Sequence, residues 1–323
     1  MKLNPSILFC VIGTTLVLSS CGGSAPSSSS SSTGGVGTTT GNVAGGGVPK
    51  FNHVFIVVEE NHSYGAVIGN PNMPYLNGIA TANGLATQYF ADAHPSLPNY
   101  FELTVGEGLS ITGLEGDAYS AVVTQDNVVR ALTGAGKSWK SYVEALPSVG
   151  YLGGDTAVYV KRHNPFVYFS DIQNSASQAG NIVPFTQFSA DLSASTLPDY
   201  SFIVPDLNDN AHDCPVGMST CSDTQKLTAA DQWLSANIGP LVTSPAFQNS
   251  LLVVVFDEGD LADVQHIGGQ VAAVIVSPLA KAGYKSTTLY EHASTLRLML
   301  EGLGVTDLPG GAATAPSMSE FFK

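Results

Sequence analysis

Basic residues are scarce in this sequence. Twelve Lys and Arg stand against 26 Asp and Glu in 323 residues, a formal net charge of −14 at pH 7. Nucleic-acid binding needs clustered positive charge to displace counterions, so that class of partner is excluded. The same acidity makes the chain a poor long-range attractor of phosphate esters, unless a bound divalent cation reverses the sign locally. Charged residues of either sign are only 12% of the chain, whereas 44% are hydrophobic, enough for a sizeable core. Cysteine is equally sparse. There are four, with no Cys-x-x-Cys and no Cys–His spacing suited to a structural metal. The apolar run Ile7–Leu18 falls short of the roughly 18 residues that span a bilayer. No internal repeat is visible.

What is present divides the chain into three. Lys2, the short apolar run and the small residues after it read as a secretory signal over residues 1–20. Leu18-Ser19-Ser20-Cys21 resembles the bacterial lipobox, which implies lipid attachment at Cys21 and a membrane-anchored, exported protein. Gly22 stands where an inner-membrane retention signal places Asp, so the outer membrane is expected, facing the periplasm or the cell surface. Residues 21–49 are a Ser/Gly-rich tether that buries too little apolar surface to order itself. Residues 50–323 suit one large α/β domain, expected to act as a monomer. Cys214 and Cys221, seven apart in a loop-like stretch, are expected to form a disulfide in an exported compartment, with a metal site the weaker alternative.

Within the domain, apolar β-branched runs alternate with helical spacing. His53–Val58, Leu251–Phe256 and Val271–Val276 read as buried strands, and Tyr200–Pro205, Leu85–Ala91 and Ser138–Tyr142 as further ones. Helices are expected over 74–86, from Pro98 onward, over 122–132, 227–241 and 290–302. Residues 145–185, rich in Gly, Pro, Asn and aromatics, read as long loops over an active face. The alternation predicts a mostly parallel sheet covered on both faces, with ligands at the carboxyl ends of its strands.

Polar motifs fall at those ends. Strand 54–58 delivers Glu59 and Glu60, one of which points into a cleft beside Asn61; Glu60 is the candidate. Ser96 lies between two prolines before a helix, and a serine hydroxyl needs a base or a metal to become a nucleophile. Asn99 is read as a donor to a phosphoryl oxygen. Asp209 and His212 lie three apart on the loop after the Tyr200 strand and suit a divalent ion, with Asp213 orienting His212; Asx-turn chemistry is the plainer alternative. Asp257-Glu258, at the tip of the strongest strand, would repel each other without a cation. Lys161-Arg162-His163 is the densest cationic cluster, read either as a phosphate-binding group or as a surface triplet.

Together, Glu60-Asn61-His62-Ser63-Tyr64, His94-Pro95-Ser96-Leu97-Pro98-Asn99-Tyr100, Lys161–Phe169, Asn208–Cys214, Phe256-Asp257-Glu258 and Glu291-His292 resemble the phosphoesterase family of bacterial acid phosphatases and phospholipases C, a branch of the alkaline phosphatase superfamily. The resemblance implies a three-layer α/β/α sandwich and a divalent metal, of unspecified identity and number, held by Glu60, Asn61, Asp257 and Glu258. It implies Ser96 as nucleophile and metal ligand, with a phosphoserine intermediate. His94, His163, His212 and His292 would line the phosphate site as ligands, donors or leaving-group acid. Superfamily branches with two metals carry ligands where Asp209 and His212 lie. The segment after Asp257-Glu258 departs from the large phospholipases C, which favours the smaller acid phosphatase type, including phosphoinositide phosphatases. Asn99-Tyr100 stands where sulfatases need Arg. A phosphate ester, most simply a monoester, is the expected substrate. A phospholipase C or other phosphodiesterase, and a non-enzymatic surface lipoprotein, are the alternatives.

Overall fold

The computed structural model describes residues 47–323. The expected signal segment, Cys21 and most of the tether lie outside these residues. Residues 47–49 carry no regular structure.

Eight strands form one sheet: β1 His53–Glu59, β2 Gly84–Ala86, β3 Trp139–Val143, β4 Ile182–Pro184, β5 Tyr200–Val204, β6 Ser250–Phe256, β7 Ala273–Val276 and β8 Tyr284–Ser286. Their order is β4-β3-β5-β1-β6-β7-β2-β8. Every neighbouring pair is parallel except those made by β7, which runs against β6 and β2. β1 and β6 lie at the centre, and nearly every residue in them is buried, as their unbroken Val/Ile/Leu runs require.

Six helices of seven or more residues are described: α1 Pro74–Ala82, α2 Ser96–Glu102, α3 Val128–Gly134, α4 Thr186–Ala194, α5 Asp223–Asn237 and α6 His292–Gly302. Phe55 of β1 packs edge-on against Phe188 of α4, and Phe185 beside α4 meets Trp233 of α5, so these helices share one face. Asp231 of α5 accepts the N–H groups of Tyr75 and Leu76, which places α1 there too. Val54 lies against Gly302 of α6, and Tyr100 of α2 against Phe202 of β5, which defines the opposite face. The result is the expected α/β/α sandwich. Among the described residues no helix is long and apolar enough to cross a membrane.

The differences from the sequence reading are local. β4 and β8, three residues each, are too short to show a period. The 122–132 helix begins later, at Val128, because the Asn127 side chain accepts the N–H groups of Val129 and Arg130 and caps it. The 227–241 helix begins earlier, where Ser222 and Gln225 make a capping box.

Candidate active site

The pleat of β1 sends Phe55, Val57 and Glu59 to the α4/α5 face, and Val54, Ile56, Val58 and then Glu60 to the α2/α6 face. Next to it β6 releases Asp257 and Glu258. Glu60, Asp257 and Glu258 are all buried, and one oxygen from each lies within 4.8 Å of the other two. Ser96, the first residue of α2, is buried beside them. Its hydroxyl lies 3.1 Å from Glu60 Oε2 and 2.9 Å from Glu258 Oε1. One hydroxyl proton faces two acceptors, so a second proton on a carboxyl, or a cation, relieves the repulsion between them.

The electrostatics agree. Burial pushes Glu60 up to about 8, opposed by the hydrogen bond it accepts from Tyr100 at 2.6 Å and raised further by Glu258. Asp257 is held well above the usual carboxylate range by burial, then by Glu60 and Glu258. Asp257 Oδ1 accepts the N–H groups of Asn61 at 3.2 Å and Glu258 at 2.6 Å, but its Oδ2 is buried without a partner. Three converging carboxylates with an orphaned oxygen fit a hard divalent cation. Ser96 and Asn61 lie on the same cleft wall and extend the donor set. Asn61 is held at φ +54°, a left-handed conformation that Asn tolerates better than most residues.

The cleft has a volume of about 400 Å³, and Asn61, His62, Ser96, His212, Lys226 and Glu258 are among its walls. His212 Nδ1 lies 2.8 Å from Asp213 Oδ1, the orienting contact expected of that pair. His163 stacks on Tyr100, 5.2 Å between centroids and 7° from parallel, with Nε2 3.2 Å from Glu60 Oε1. Burial, then the Arg162 and His212 charges, drive His163 well below the ordinary histidine range, so it is neutral. Arg162 Nε lies 3.2 Å from Asp117 Oδ2, and Asp117 also lines the cleft.

Four of the expected site residues stand elsewhere or face another way. Asn99 is not free to donate to substrate: its Oδ1 accepts the N–H groups of Asp92 and Ala93 at 3.0 Å each, and its Nδ2 donates to Ala93 O at 2.8 Å. It staples the turn that presents Ser96. His292 lies behind the acids, its Nε2 2.6 Å from Asp257 O and its Nδ1 3.0 Å from the Tyr89 hydroxyl. Burial lowers it to about 4 and both nitrogens are engaged, so it is a neutral brace and no leaving-group acid. Lys161 reaches over the Tyr168 ring, 4.6 Å from its centroid, in a neighbouring pocket. Asp209 groups with Glu144 and Asp206, away from the Ser96 acids.

His94 is also committed. Its Nδ1 pairs with Glu258 Oε2 and its Nε2 lies 3.0 Å from Asp263 O. The Glu258 hydrogen bond raises its pKa above the ordinary value. Gly268 lets the backbone of Ala91 and Ala93 pass close to the loop after β6, because a Cβ there would lie 2.6 Å from Ala93 O. Cys214 and Cys221 are joined by a disulfide with Cα atoms 5.5 Å apart.

The sequence reading passed over Tyr100, His62 and Lys226. Tyr100 and His62 lie inside the Ser96 and Glu60 motifs and are legible there. His62 Nδ1 lies 3.0 Å from Glu60 O, and its buried Nε2 makes no hydrogen bond, with Asp223 Oδ1 3.9 Å away. Lys226, on the first turn of α5, has no sequence signal beyond being a lysine.

Asn99→Ala removes these buried hydrogen bonds while leaving the acids in place. Urea unfolding should show a loss of about 2–4 kcal/mol. Turnover should fall with the displaced Ser96, with KM little changed.

Residues 70–306 match the Phosphoesterase family. That span holds Ser96, His212, Asp257 and Glu258 and begins downstream of Glu60 and Asn61. The chain is 30% identical over 282 residues to a phosphatidylinositol-3-phosphatase of Mycobacterium tuberculosis, covering 87% of this chain and 86% of that one. It is 28% identical over 257 residues to a probable acid phosphatase of Kluyveromyces lactis, covering 76% of this chain and 56% of the relative. An acid phosphatase of Aspergillus fumigatus is likewise 28% identical, with 80% of this chain and 56% of that one covered. The chain thus spans little more than half the length of these fungal relatives. Among solved structures, an alkaline phosphatase superfamily protein of Vibrio parahaemolyticus superposes with a TM-score of 0.58 at 13% identity, over 84% of this chain and 72% of that one. A phosphonate monoester hydrolase of Agrobacterium radiobacter gives 0.54 at 11% identity, over 84% and 77%. At such identities these two show the fold alone.

Proposed function

The chain belongs to the Phosphoesterase family, and from that premise we propose a metal-dependent phosphoric monoester hydrolase of the acid phosphatase type with Ser96 as its nucleophile. The observation that carries this reading is the Ser96 hydroxyl held between Glu60 and Glu258 beside the orphaned Asp257 oxygen. A cation held by Glu60, Asn61, Asp257 and Glu258 would lower the proton affinity of the serine oxygen and offset phosphate charge.

The chain's own residues do the rest. Ser96 Oγ forms a bond to phosphorus as the bond to the leaving oxygen breaks, and its proton passes to Glu60 or Glu258. His212, oriented by Asp213, protonates the leaving oxygen and then takes a proton from the water that cleaves the phosphoserine. Lys226, on the cleft wall, supplies positive charge to the phosphoryl oxygens, and Arg162, paired with Asp117 at the cleft edge, adds to it from the neighbouring pocket.

Chelator-sensitive hydrolysis of p-nitrophenyl phosphate, faster than that of bis-p-nitrophenyl phosphate, is the expected result. A marked diester preference would overturn the monoester assignment, and activity indifferent to EDTA the metal. His212→Ala should lower kcat for an alkyl phosphate by about 10²–10⁴-fold. p-Nitrophenolate leaves without a proton, so its ester should be much less affected. Equal losses for both would remove His212 from this role.

A second reading concerns where the monoester resides. Leu261, Val264 and Ile267 are exposed on the loop after β6, and Leu261 borders the cleft. An apolar rim suits a phosphomonoester carried on a lipid, as the name of the Mycobacterium relative indicates for that protein. Replacing all three by Ser should slow hydrolysis of a phosphoinositide in vesicles and leave p-nitrophenyl phosphate turnover intact.

A further inference from the structure

On the sheet face opposite Ser96, a second group of acids converges where β3, β5 and β1 end. Glu144 follows β3, Asp206 and Asp209 lie on the loop after β5, and one oxygen from each falls within 4.8 Å of the other two. Glu59, outside that set of three, emerges on the same face beside it. The register pairs Val57 with Ile203 and Ile203 with Tyr142, so Glu59 and Glu144, each two residues further on, emerge on one face. Glu59 is fully buried, and neither carboxylate oxygen has a partner. Its strongest charged neighbour is Asp209, followed by Glu60 and Glu144. Asp231, the next acid, is already committed to the N-terminus of α1. Among the described residues no Lys, Arg or His forms an ion pair with any of the four.

We propose that Glu59, Glu144, Asp206 and Asp209 form a second site for a hard divalent cation, calcium or magnesium, separate from the Ser96 centre. The donors are all carboxylate oxygens, which such ions prefer over the nitrogen and sulfur ligands that select softer metals. The Glu144, Asp206 and Asp209 oxygens, within 4.8 Å of one another, fit around an ion with bonds of about 2.0–2.6 Å, and the unpartnered Glu59 carboxylate faces the same side of the sheet.

The site's role follows from what its loop carries. Asp206 and Asp209 belong to the same turn as Ala211 and His212, which line the catalytic cleft. That turn is tied to β1 by the Glu60 N–H donating to Asn210 O at 2.9 Å, and the His212 N–H donates to Asn210 Oδ1 at 2.9 Å. A cation bound on the far face therefore fixes the loop that aims His212, and touches neither substrate nor Ser96.

Calorimetric titration of chelator-treated protein with Ca²⁺ and with Mg²⁺, together with elemental counting of bound metal, tests this. Asp257→Asn disables the Ser96 centre, so binding that remains reports the second site. The Asp257→Asn protein should still take up one equivalent and melt at a higher temperature with it. Adding Asp206→Asn and Asp209→Asn should abolish that uptake. Adding Glu59→Gln instead, which keeps shape and removes only a buried charge, should weaken it roughly tenfold or more and so covers a misfolded double variant. No uptake by Asp257→Asn at millimolar cation, or uptake unchanged by the Asn and Gln substitutions, overturns the site. Equal uptake by the wild type and Asp257→Asn counts against the Ser96 centre and leaves this one standing.

Discussion

Ser96→Ala should cut p-nitrophenyl phosphate turnover by on the order of 10³-fold or more, because removing a nucleophile leaves only binding and electrostatic stabilisation. The loss should be confined to chemistry. Ser96 Oγ contacts Glu60 Oε2 and Glu258 Oε1, but those acids keep their other anchors: Tyr100 on Glu60 and His94 on Glu258. The substitution takes one buried hydroxyl from between two carboxyl groups, so the fold should tolerate it within about 1–2 kcal/mol. Cation uptake should persist, since Glu60, Asp257 and Glu258 remain within reach of one another. Retention of ³²P on the wild-type chain after an acid quench, and its absence from the alanine variant, would locate the phosphoryl group. Turnover surviving in Ser96→Ala would remove the nucleophile and with it the proposed reaction.

The sequence disclosed this site unevenly, for physical reasons. Strand tips were legible because β1 and β6 are buried on both faces and read as unbroken apolar runs, so the acids after them stood out. The period-two alternation alone leaves open which of Glu59 and Glu60 faces the cleft; adjacency to Asn61 favours Glu60, and the Ser96 and Tyr100 hydroxyls on Glu60 together with the packing of Phe55 on Phe188 separate them. Side-chain direction was the harder matter. Asn99 and His292 occur in the right motifs, yet one folds back onto Ala93 and the other holds Asp257 O from behind. Spacing along a chain reports proximity to a motif and is silent on which hydrogen bonds a buried polar group has already taken. Asp209 shows the same limit: three residues from His212 in sequence, it turns to the other sheet face toward Glu144. Lys226 comes from a helix that only the tertiary fold brings to the cleft.

The opposing demands on Glu60 give the last expectation, in which stability and activity move in opposite directions. In cation-free protein Glu60 sits at about 8, above the 4.5 of an unperturbed glutamate, with burial the chief cause. Between those two pH values the folded chain holds a proton that the unfolded chain has released. Stability therefore falls as pH rises from about 4.5 through about 8. Glu60→Gln cannot ionise, keeps an oxygen to accept the Tyr100 hydroxyl, and relieves the repulsion on Asp257 and Glu258. In EDTA at pH 8.5 the variant should melt a few degrees above the wild type, and at pH 5 the difference should shrink toward zero. Adding a divalent cation should reverse the order, because binding to the native wild type contributes stability by mass action and the variant has lost a ligand. The same substitution should lower kcat by about 10²-fold or more, a loss of transition-state charge stabilisation. Scanning calorimetry at the two pH values, with and without cation, reads all four arms. A wild type that melts above Glu60→Gln in EDTA at pH 8.5 would show that the three acids do not strain the cation-free fold, and the electrostatic account of the site would fall with it.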